Sequence, residues 1–360
     1  MPEPSREPEA VTRVAILGVG QMGLVCANAL AGGDPGNGDA RKPVDVRVWG
    51  HDPDEVGAVA QTRESDRLEG FRLDDAVRVC LKADEALDEA DVVVAAVPAQ
   101  FLRETFASLR DHMPARAGVV SVAKGIEVGS LSRPTQAIAE GLGDDPDAAA
   151  RPLGALSGPT IAAELSRCLP ATMIAASDPA TDDGSFARTL QDLFTTSWLR
   201  IYTNDDLLGV ELAGATKNVI AIAAGILDGL HAGYNAKSAL LARGIAEIAR
   251  LGSAMGADRD TFFGVAGAGD LATTCFSPEG RNRSCGEALG KGMSLDEYLG
   301  ETKMVVEGVA TTRAVVALAA KYRVEMPIAQ AVHDVLFDGL DPLQAITGLM
   351  TRAPKAERVG

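Results

Sequence analysis

The sequence is poor in the residues that build disulfide frameworks and metal sites. Its 360 residues include five cysteines and four histidines, and aromatic residues make up only 4%. The cysteines show no paired C-x-x-C spacing, and no H-E-x-x-H motif occurs. We therefore expect neither a disulfide framework nor a metal site. Unpaired cysteines fit a reducing, cytoplasmic compartment.

Basic residues are also scarce, with 34 Lys and Arg against 50 Asp and Glu and a net charge of −16. Nucleic acids and anionic membranes attract basic surfaces, so we expect neither as a partner. An anionic small molecule requires a locally basic site. The N-terminal MPEPSREPEA lacks an apolar signal segment, and we expect disordered tails at residues 1–12 and 353–360.

The most apolar segment, Leu207–Leu230, predicts one long helix, because Ala, Leu, Ile and Val occupy every helical phase. Asn204-Asp205-Asp206 offers N-cap residues ahead of it. A membrane span needs roughly 20 apolar residues, and Lys217 interrupts this segment near its middle. We therefore exclude membrane insertion on length and predict a helix in a domain core.

Lys217 is a single cation on that apolar helix, next to Asn218. Burial disfavours the ammonium form, so it lowers the pKa and makes the neutral amine accessible near neutral pH. Such an amine is a candidate general base or Schiff-base nucleophile. The alternative is a structural lysine that reaches solvent or pairs with a core carboxylate, and this segment alone leaves both open.

A dinucleotide-binding pattern begins near residue 14. Val14-Ala15-Ile16-Leu17 predicts a buried parallel strand, and the G-x-G-x-x-G sequence Gly18–Gly23 leads from it into a helical segment. Gly18 permits the tight turn, Gly20 lets a pyrophosphate approach the backbone, and Gly23 lets helix and strand pack closely. The strand before the motif and the helix after it make the match specific.

The predicted second strand, Val44–Trp49, is followed by Gly50-His51-Asp52-Pro53. At this place an acid favours NAD and a cation favours NADP. His51 and Asp52 are adjacent, so the sequence leaves the choice between NAD and NADP open. Asp52-Pro53 is also typical of a helix start.

Strands and helices alternate up to Thr203, which predicts an α/β, Rossmann-like, doubly wound sheet in a dinucleotide-binding domain over residues 13–204. Residues 56–90 are interpreted as a charged crossover with helices. An all-α substrate and catalytic domain is expected over 205–352, packed closely because no flexible linker intervenes. Further strands are expected at 91–97, 118–123, 153–156, 171–176 and 199–203, and C-terminal helices at 207–230, 237–252, 258–263, 284–290, 295–299, 311–322, 328–337 and 342–349.

Two polar positions lie at the ends of predicted strands. Lys124 follows the strand at 118–123, and ligands of open α/β sheets bind at the carboxyl ends of strands. Thr160, in the turn after Leu156, or the backbone beside it, is expected to cap the next helix and to present amides to a ligand. A solvated loop lysine is the alternative for Lys124.

The helical half carries a second polar cluster. A glycine turn at Gly267–Gly269 delivers Asp270, with Thr274 one helical turn further if the segment is helical. Arg281-Asn282-Arg283 is basic, and the planar fork of arginine suits a phosphate. A solvated helix start is the alternative for these arginines.

Together these segments resemble the bacterial-type glycerol-3-phosphate dehydrogenases that use NAD or NADP, over about residues 13–352. The resemblance implies reversible reduction of dihydroxyacetone phosphate, a phosphorylated triose, to sn-glycerol 3-phosphate for glycerophospholipid synthesis. A homodimer is the ordinary expectation for such a fold. The resemblance rests on GVGQMG, WGHDP, AVPAQ, AKGIE, LSGPTIAAEL, ATKNVIAIAAGILDGL, GAGDLATTC, GRNR and VVEGV.

The resemblance also implies roles for individual residues. Lys217 is similar to the family's proton acceptor and donor, oriented by Asp270 and Thr274, and Lys124 to a lysine that touches substrate and cofactor. Substrate contacts are implied for Lys124, Gly158, Thr160, Lys217, Asn218, Asp270, Arg281 and Asn282. Cofactor contacts are implied for Gly18, Gly20, Gln21, Met22, Gly23, His51, Lys124, Ala162, Arg281, Val305 and Glu307.

Three features depart from the family pattern. Gly280 stands where the family commonly has serine, Met22 where it has an aromatic residue, and the loop Gly32–Pro43 is longer than usual. Two other functions compete. One is a related oxidoreductase, such as a β-hydroxyacid dehydrogenase or a ketopantoate reductase, and the other is a catalytically silent dinucleotide sensor whose helical half binds a protein.

Overall fold

The computed structural model describes residues 11–32, 43–144, 151–178, 182–302, 304–353 and 356. Most of the long loop at 32–43 and of the two predicted tails lies outside the described residues. The strands are β1 (Thr12–Leu17), β2 (Val44–Trp49), β3 (Glu64–Ser65), β4 (Leu68–Arg72), β5 (Arg78–Val79), β6 (Val92–Ala95), β7 (Gly118–Ser121), β8 (Leu153–Ser157), β9 (Ala171–Ser177) and β10 (Leu199–Asn204). The α-helices are α1 (Gln21–Ala31), α2 (Pro53–Thr62), α3 (Ala83–Leu87), α4 (Leu102–Leu109), α5 (Pro134–Leu142), α6 (Ala162–Leu165), α7 (Ser185–Phe194), α8 (Leu207–Gly229), α9 (Gly233–Met255), α10 (Asp270–Phe276), α11 (Arg281–Gly290), α12 (Leu295–Glu301), α13 (Glu307–Tyr322), α14 (Pro327–Phe337) and α15 (Pro342–Met350).

An eight-stranded sheet in the order β10-β9-β8-β7-β6-β1-β2-β5 forms the core of the N-terminal half. Its pairings are parallel except between β8 and β9, which run antiparallel. Val14 and Ile16 pack into a hydrophobic cluster on one face, and Ala15 and Leu17 into a cluster on the other. Because both faces are covered, the strands are apolar throughout, as in other largely parallel sheets. The predicted α/β fold with a helical second half is confirmed.

The crossover between β2 and β6 differs from its prediction. Helices α2 and α3 occur there, but so does an antiparallel hairpin of β3 and β4, and β5 extends the sheet at its edge. Leu68 and Phe71 of the hairpin are buried in the core. The prediction of helices alone was wrong because such short strands carry too few residues for an alternating pattern. Helix α5, which begins at Pro134, was also not predicted.

Helix α8 is the centre of the C-terminal half. Its N-cap is Asp206, whose Oδ1 accepts a hydrogen bond from the Gly209 amide at 2.8 Å. All of its residues except Leu208 and Asp228 are buried. The exclusion of a membrane span on length was wrong, because the helix is long and apolar enough to cross a bilayer. It is a core helix because 94% of its most apolar window lies inside the protein.

Helix α11 packs against α8 at backbone distance. A Cβ atom on Gly225 would lie 1.9 Å from the Arg283 carbonyl oxygen, and one on Gly286 would lie 1.9 Å from the Ile222 carbonyl oxygen. Glycine is therefore the only residue that permits this contact. The close packing fixes the first turn of α11 relative to Lys217 on α8.

The remaining helices of this half occur near their predicted ends, with two changes of type. The segment at 258–263 is a 3-10 turn, Arg259–Phe263, and the predicted glycine turn is a π-helical turn, Val265–Gly269, that runs directly into α10. A buried carboxylate joins the two halves: Glu211 of α8 accepts hydrogen bonds from the Thr135 amide (2.8 Å) and hydroxyl (2.9 Å) at the start of α5. The halves therefore pack directly on each other.

Candidate active site

The glycine motif between β1 and α1 forms an open cradle. Gly18 has φ +123°, and a Cβ there would lie 2.4 Å from the Ala96 carbonyl oxygen. A Cβ on Gly23 would lie 2.0 Å from the Gly18 carbonyl oxygen, which shows how closely helix and strand pack. A Cβ atom on Gly20, by contrast, would have no atom within 4 Å apart from the adjacent residues of the chain. The cradle therefore fits a dinucleotide pyrophosphate, which approaches the backbone at the middle glycine.

A cleft of about 720 Å³ lies in front of this cradle. Of the residues implied for cofactor binding, Gly23 lies beneath the cleft, and Lys124 and Ala162 line a neighbouring pocket instead. The predicted cofactor residues that line the cleft are Gly18, Gly20, Gln21, Met22, His51, Arg281, Val305 and Glu307, joined by Trp49, Asp52, Glu55, Arg67 and Phe101.

The second pocket, of about 260 Å³, continues from the cleft toward the helical half. Gly158 and Asp270 do not line it; they lie behind the side chains that do. Its lining includes the predicted substrate residues Lys124, Thr160, Lys217, Asn218, Arg281 and Asn282, together with Thr274 and Gly280. The two pockets are therefore contiguous, and the residues they share are Gln21, Met22, Val122, Arg281, Met304, Val305 and Glu307.

Two lysines share one buried carboxylate at the inner end of the second pocket. Asp270, only 1% exposed, accepts from Lys217 Nζ at 2.6 Å and from Lys124 Nζ at 2.7 Å. Two cations against one anion leave a net positive charge, although the whole chain is strongly acidic. Lys124, Lys217 and Arg281 therefore offer cations to an anionic substrate in this pocket, which the carboxylates of Glu279 and Glu307 also line.

The environment of Lys217 favours proton transfer. Burial lowers its pKa to about 8; the charge of Asp270 opposes this shift, and the charge of Lys124 contributes to it. Its Nζ also donates to the Thr274 hydroxyl, and that hydroxyl donates to the Asp270 carbonyl oxygen at 2.7 Å. Lys217 pairs with the buried carboxylate of Asp270 and also lines the pocket. A structural lysine and a general base, the two alternatives from the sequence, are therefore compatible.

Lys124, just beyond β7, is held on several sides. Its Nζ donates to the Gly158 carbonyl oxygen at 2.7 Å and to the Thr160 hydroxyl at 3.1 Å. Its own carbonyl oxygen accepts from Asn218 Nδ2 at 2.7 Å. Of the two predicted caps of the next helix, the Thr160 side chain was wrong, because its hydroxyl donates to the Gly158 carbonyl oxygen. The N-cap of the four-residue α6 is Ile161 of the same turn, whose carbonyl oxygen accepts from the Leu165 amide at 3.0 Å.

The residues of the basic stretch at the start of α11 face two different environments. Arg281 donates to the Val305 carbonyl oxygen at 3.1 Å, and Asn282 Oδ1 accepts from the Gly308 amide at 2.9 Å; both residues line the second pocket. Arg283 faces the protein interior, where its Nε donates to the Ser277 carbonyl oxygen at 2.8 Å and its guanidinium pairs with Asp228. Two of the three residues are therefore available to a ligand.

Gly280 is the N-cap of α11 and provides no side-chain cap. A Cβ there would lie 3.2 Å from the Thr274 carbonyl oxygen, so the serine of the family pattern would require a small local shift. Glu307 lies where the two pockets meet and accepts from the Ala99 amide at 3.3 Å. Burial raises the pKa of this half-buried carboxyl above its ordinary range, against the lowering effect of Arg281.

Sequence reasoning missed Arg67 and Glu55, which line the outer part of the cleft. Arg67 belongs to the turn of the hairpin that was not predicted, and its carbonyl oxygen accepts a hydrogen bond from the Gln21 side chain. A hairpin prediction at 64–72 would have been the only signal for it. Gln21 therefore connects the glycine cradle to the hairpin as well as lining both pockets.

Comparison with known proteins agrees with this geometry. Family models described as NAD-dependent glycerol-3-phosphate dehydrogenase N-terminus and C-terminus match residues 13–182 and 206–347. The chain is 44% identical to glycerol-3-phosphate dehydrogenase [NAD(P)+] of Chlorobium limicola over 96% of this chain and 99% of the relative. It is 42% identical to the enzyme of the same name from Thermobifida fusca, over 97% and 100% of the two chains.

A crystal structure of glycerol-3-phosphate dehydrogenase from Coxiella burnetii superposes with a TM-score of 0.86 at 33% identity, covering 95% of this chain and 99% of that one. The similarity extends over both halves of the molecule, including the sheet with its glycine cradle and the helices that carry Lys217 and Asp270. The chain belongs to the NAD-dependent glycerol-3-phosphate dehydrogenase family.

Proposed function

We propose that the protein catalyses the reversible reduction of dihydroxyacetone phosphate to sn-glycerol 3-phosphate with NADH or NADPH. The observation that carries this proposal is the buried group of Lys217, Asp270 and Lys124 at the inner end of a pocket that continues from the dinucleotide cleft. Family membership supports the reaction, and the cations Lys124, Lys217 and Arg281 of this pocket support a phosphorylated substrate.

Lys217 acts as the proton donor in the direction of reduction. Hydride transfer from the nicotinamide to a ketone develops negative charge on the carbonyl oxygen. An ammonium group stabilises that charge best where water is excluded, and Lys217 is only 6% exposed. In the reverse direction its neutral amine accepts the hydroxyl proton, which a pKa of about 8 makes accessible. Asp270 and Thr274 orient the amine.

Arg281 and Asn282 bind the phosphate, together with Lys124. The guanidinium of Arg281 offers parallel donors that match phosphate oxygens. Gly158, Thr160 and Asn218 hold the lysine that contacts the substrate, through the hydrogen bonds to its Nζ and carbonyl oxygen. Since these contacts are charged, substrate affinity weakens as salt concentration rises.

The cofactor occupies the cleft in front of the glycine cradle. Gly18 and Gly23 shape the cradle, and the N-terminus of α1 faces the pyrophosphate. Residues 13–204 form the dinucleotide-binding domain, and residues 205–352 form the substrate and catalytic domain. The other residues assigned to the cofactor are Gly20, Gln21, Met22, His51, Lys124, Ala162, Arg281, Val305 and Glu307.

The biological setting is also part of the proposal. The product supplies glycerophospholipid synthesis, as the family resemblance implies. The enzyme works in the cytoplasm, which agrees with cysteines that show no paired C-x-x-C spacing. A homodimer is proposed because closed two-fold dimers are the commonest assemblies of soluble proteins. Light scattering that gives a mass of one chain would reject the dimer.

An oxidation assay tests the reaction. Purified protein is mixed with NADH or NADPH and with dihydroxyacetone phosphate, unphosphorylated dihydroxyacetone or ketopantoate. We expect turnover with the phosphorylated triose and little with the other two compounds. Turnover with ketopantoate or with unphosphorylated triose alone would support a related oxidoreductase. Binding of NADPH without turnover on any compound would support a dinucleotide sensor.

A further inference from the structure

We infer that Arg67 is a specificity-determining residue that binds the 2′-phosphate of NADP(H), so that this enzyme prefers NADPH to NADH. The inference deepens the proposed function and rests on its assignment of the cleft to a dinucleotide. It arises from the outer end of that cleft, where His51, Asp52, Glu55 and Arg67 form the wall.

The position of this wall relative to β2 indicates what it contacts. In Rossmann-like sheets the adenosine ribose lies beside the end of the second strand, where its 2′ substituent is recognised. Here β2 ends at Trp49, and His51 and Asp52 follow. The four side chains of the wall are thus placed to distinguish a 2′-hydroxyl from a 2′-phosphate.

The acid that would select NAD is partly engaged in capping a helix. Asp52 is the N-cap of α2, and its Oδ1 accepts hydrogen bonds from the amides of Asp54 (2.9 Å) and Glu55 (3.3 Å). Pro53 occupies the first helical position, as expected of a helix start. Capping engages Asp52 Oδ1 at the helix, so only Oδ2 is left to accept from a ribose hydroxyl.

The hairpin holds Arg67 firmly by its backbone. Leu68 and Phe71 anchor the hairpin in the core, and the Gln21 side chain donates to the Arg67 carbonyl oxygen. Because Gln21 begins α1 directly after Gly20, this bond fixes the backbone of Arg67 relative to the glycine cradle. Removing the Arg67 side chain leaves these anchors intact.

The guanidinium of Arg67 is held loosely, by contrast. Its Nη2 lies 3.0 Å from the Glu55 carboxylate, and the two side chains are 49% and 28% exposed. Ion pairs this exposed contribute little to stability, so the guanidinium can exchange Glu55 for a stronger partner. A phosphate dianion is such a partner, because arginine binds it through charge-assisted, bidentate hydrogen bonds. His51 adds a second donor at the same wall.

Binding measurements without any triose test the inference. NADPH, NADH, adenosine 2′,5′-bisphosphate and AMP are titrated into the wild type, Arg67→Ala and Arg72→Ala. Arg72 is the matched control, because it lies on the same hairpin, carries the same charge and pairs with Asp75 outside the cleft wall. We expect the wild type to bind each 2′-phosphorylated compound about tenfold more tightly than its partner, the effect of a hydrogen bond to a charged group.

Arg67→Ala should remove this preference, with affinities for NADH and AMP changed by less than about twofold, and Arg72→Ala should retain it. Equal binding of NADPH and NADH by the wild type would overturn the inference, as would a uniform loss for all four ligands in Arg67→Ala. In Glu55→Gln we expect NADPH binding to be kept or strengthened. A selective loss of NADH binding there would instead assign Glu55 to a free 2′-hydroxyl and overturn the preference.

The two proposals fail in different ways. If Arg67→Ala binds NADPH normally while the wild type reduces dihydroxyacetone phosphate, only the cofactor inference is lost. If Arg67→Ala loses the preference for NADPH while no variant reduces the triose, the inference holds and the proposed reaction is lost.

Discussion

Asp270 determines the chemistry of the site through its two oxygen atoms, one for each lysine. Oδ1 accepts from Lys217 and Oδ2 from Lys124, at nearly equal distances. One carboxylate cannot neutralise both ammonium groups, and burial lowers the pKa of Lys217 to about 8. A proton donor that is readily regenerated near neutral pH follows from this arrangement.

The pH dependence of the two reaction directions should be opposite. The pKa of Lys217 is lowered from 10.5 to about 8, so the ammonium form predominates below that pH and the amine above it. We expect kcat/KM for reduction to fall as pH rises through about 8, and kcat/KM for oxidation of glycerol 3-phosphate to rise over the same range. Steady-state kinetics in both directions from about pH 6 to about pH 10 would measure this. Profiles that rise together would exclude Lys217 as the titrating group.

Removing the Lys217 amine should affect turnover far more than binding. We expect Lys217→Met to lower kcat by about 10²–10⁴-fold, because one proton-transfer or electrostatic group is lost. The affinity for NADPH, measured by fluorescence titration, should change little. Lys291→Met is the matched control, since Lys291, the C-cap of α11, is exposed and pairs with Glu287 of that helix. A near-normal turnover number for Lys217→Met would reject its catalytic role.

At the scale of secondary structure, the contact between α8 and α11 couples the proton donor to the phosphate ligands. Helix α8 carries Lys217, and the first turn of α11 carries Arg281 and Asn282. Four glycines let the two backbones touch, so a small change in this contact moves one group relative to the others. These glycines are Gly225, Gly229, Gly286 and Gly290.

Adding one methyl group at this contact should therefore impair both stability and activity. A Cβ on Gly286 would meet the Ile222 backbone, so we expect Gly286→Ala to lower the free energy of unfolding by about 1–3 kcal/mol and to raise the KM for dihydroxyacetone phosphate. Gly57→Ala in α2 is the control, since a Cβ atom there would have no atom within 4 Å apart from the backbone of its own helix. That variant should gain about 0.5–1 kcal/mol from the better helix former. Denaturant unfolding and kinetics would measure both, and equal effects in the two variants would contradict the packing argument.

Local patterns explain which elements could be predicted from the sequence. The glycine cradle and α8 each depend on a continuous run of residues, and the predicted and observed bounds of β2 are the same, Val44–Trp49. The hairpin β3–β4 could not be predicted, because its short strands depend on burial of Leu68 and Phe71 against distant parts of the chain.

The same limit applies within the site. The types of residue at Lys217, Asp270 and Thr274 indicated chemistry, and the helical spacing of the last two indicated contact. Nothing in the sequence Arg281-Asn282-Arg283 indicates that the second arginine turns inward, since this depends on Asp228 more than fifty residues away. Arg67 was missed for a related reason, because its place beside Gln21 exists only in the folded molecule.

At the scale of the whole molecule, buried carboxylates hold distant helices together. Glu211 joins α8 to α5 across the two halves. Glu247 of α9, 3% exposed, accepts from the amides of Ile328 (2.8 Å) and Ala329 (3.3 Å) and so caps α14. Burial raises the pKa of Glu247 from 4.5 to about 7, against the lowering effect of these amides. Such a carboxyl makes the stability of the fold depend on pH near neutrality.

Replacing Glu247 by glutamine should flatten that dependence. In the wild type, Glu247 is protonated below about pH 4.5 in both the folded and the unfolded protein. Above that pH the unfolded protein releases the proton first, so the free energy of unfolding falls until the folded carboxyl ionises near pH 7. This pKa shift corresponds to a loss of unfolding free energy on the order of 3 kcal/mol. Glu247→Gln keeps an acceptor for the α14 amides but cannot ionise, so it should not show this loss. Denaturant unfolding from about pH 5 to about pH 8 would measure the difference, with Glu69→Gln on the exposed hairpin surface as the control. Parallel pH curves for the wild type and Glu247→Gln would show that this carboxyl does not control stability, whereas a gap that widens with pH in favour of the variant would show that it does.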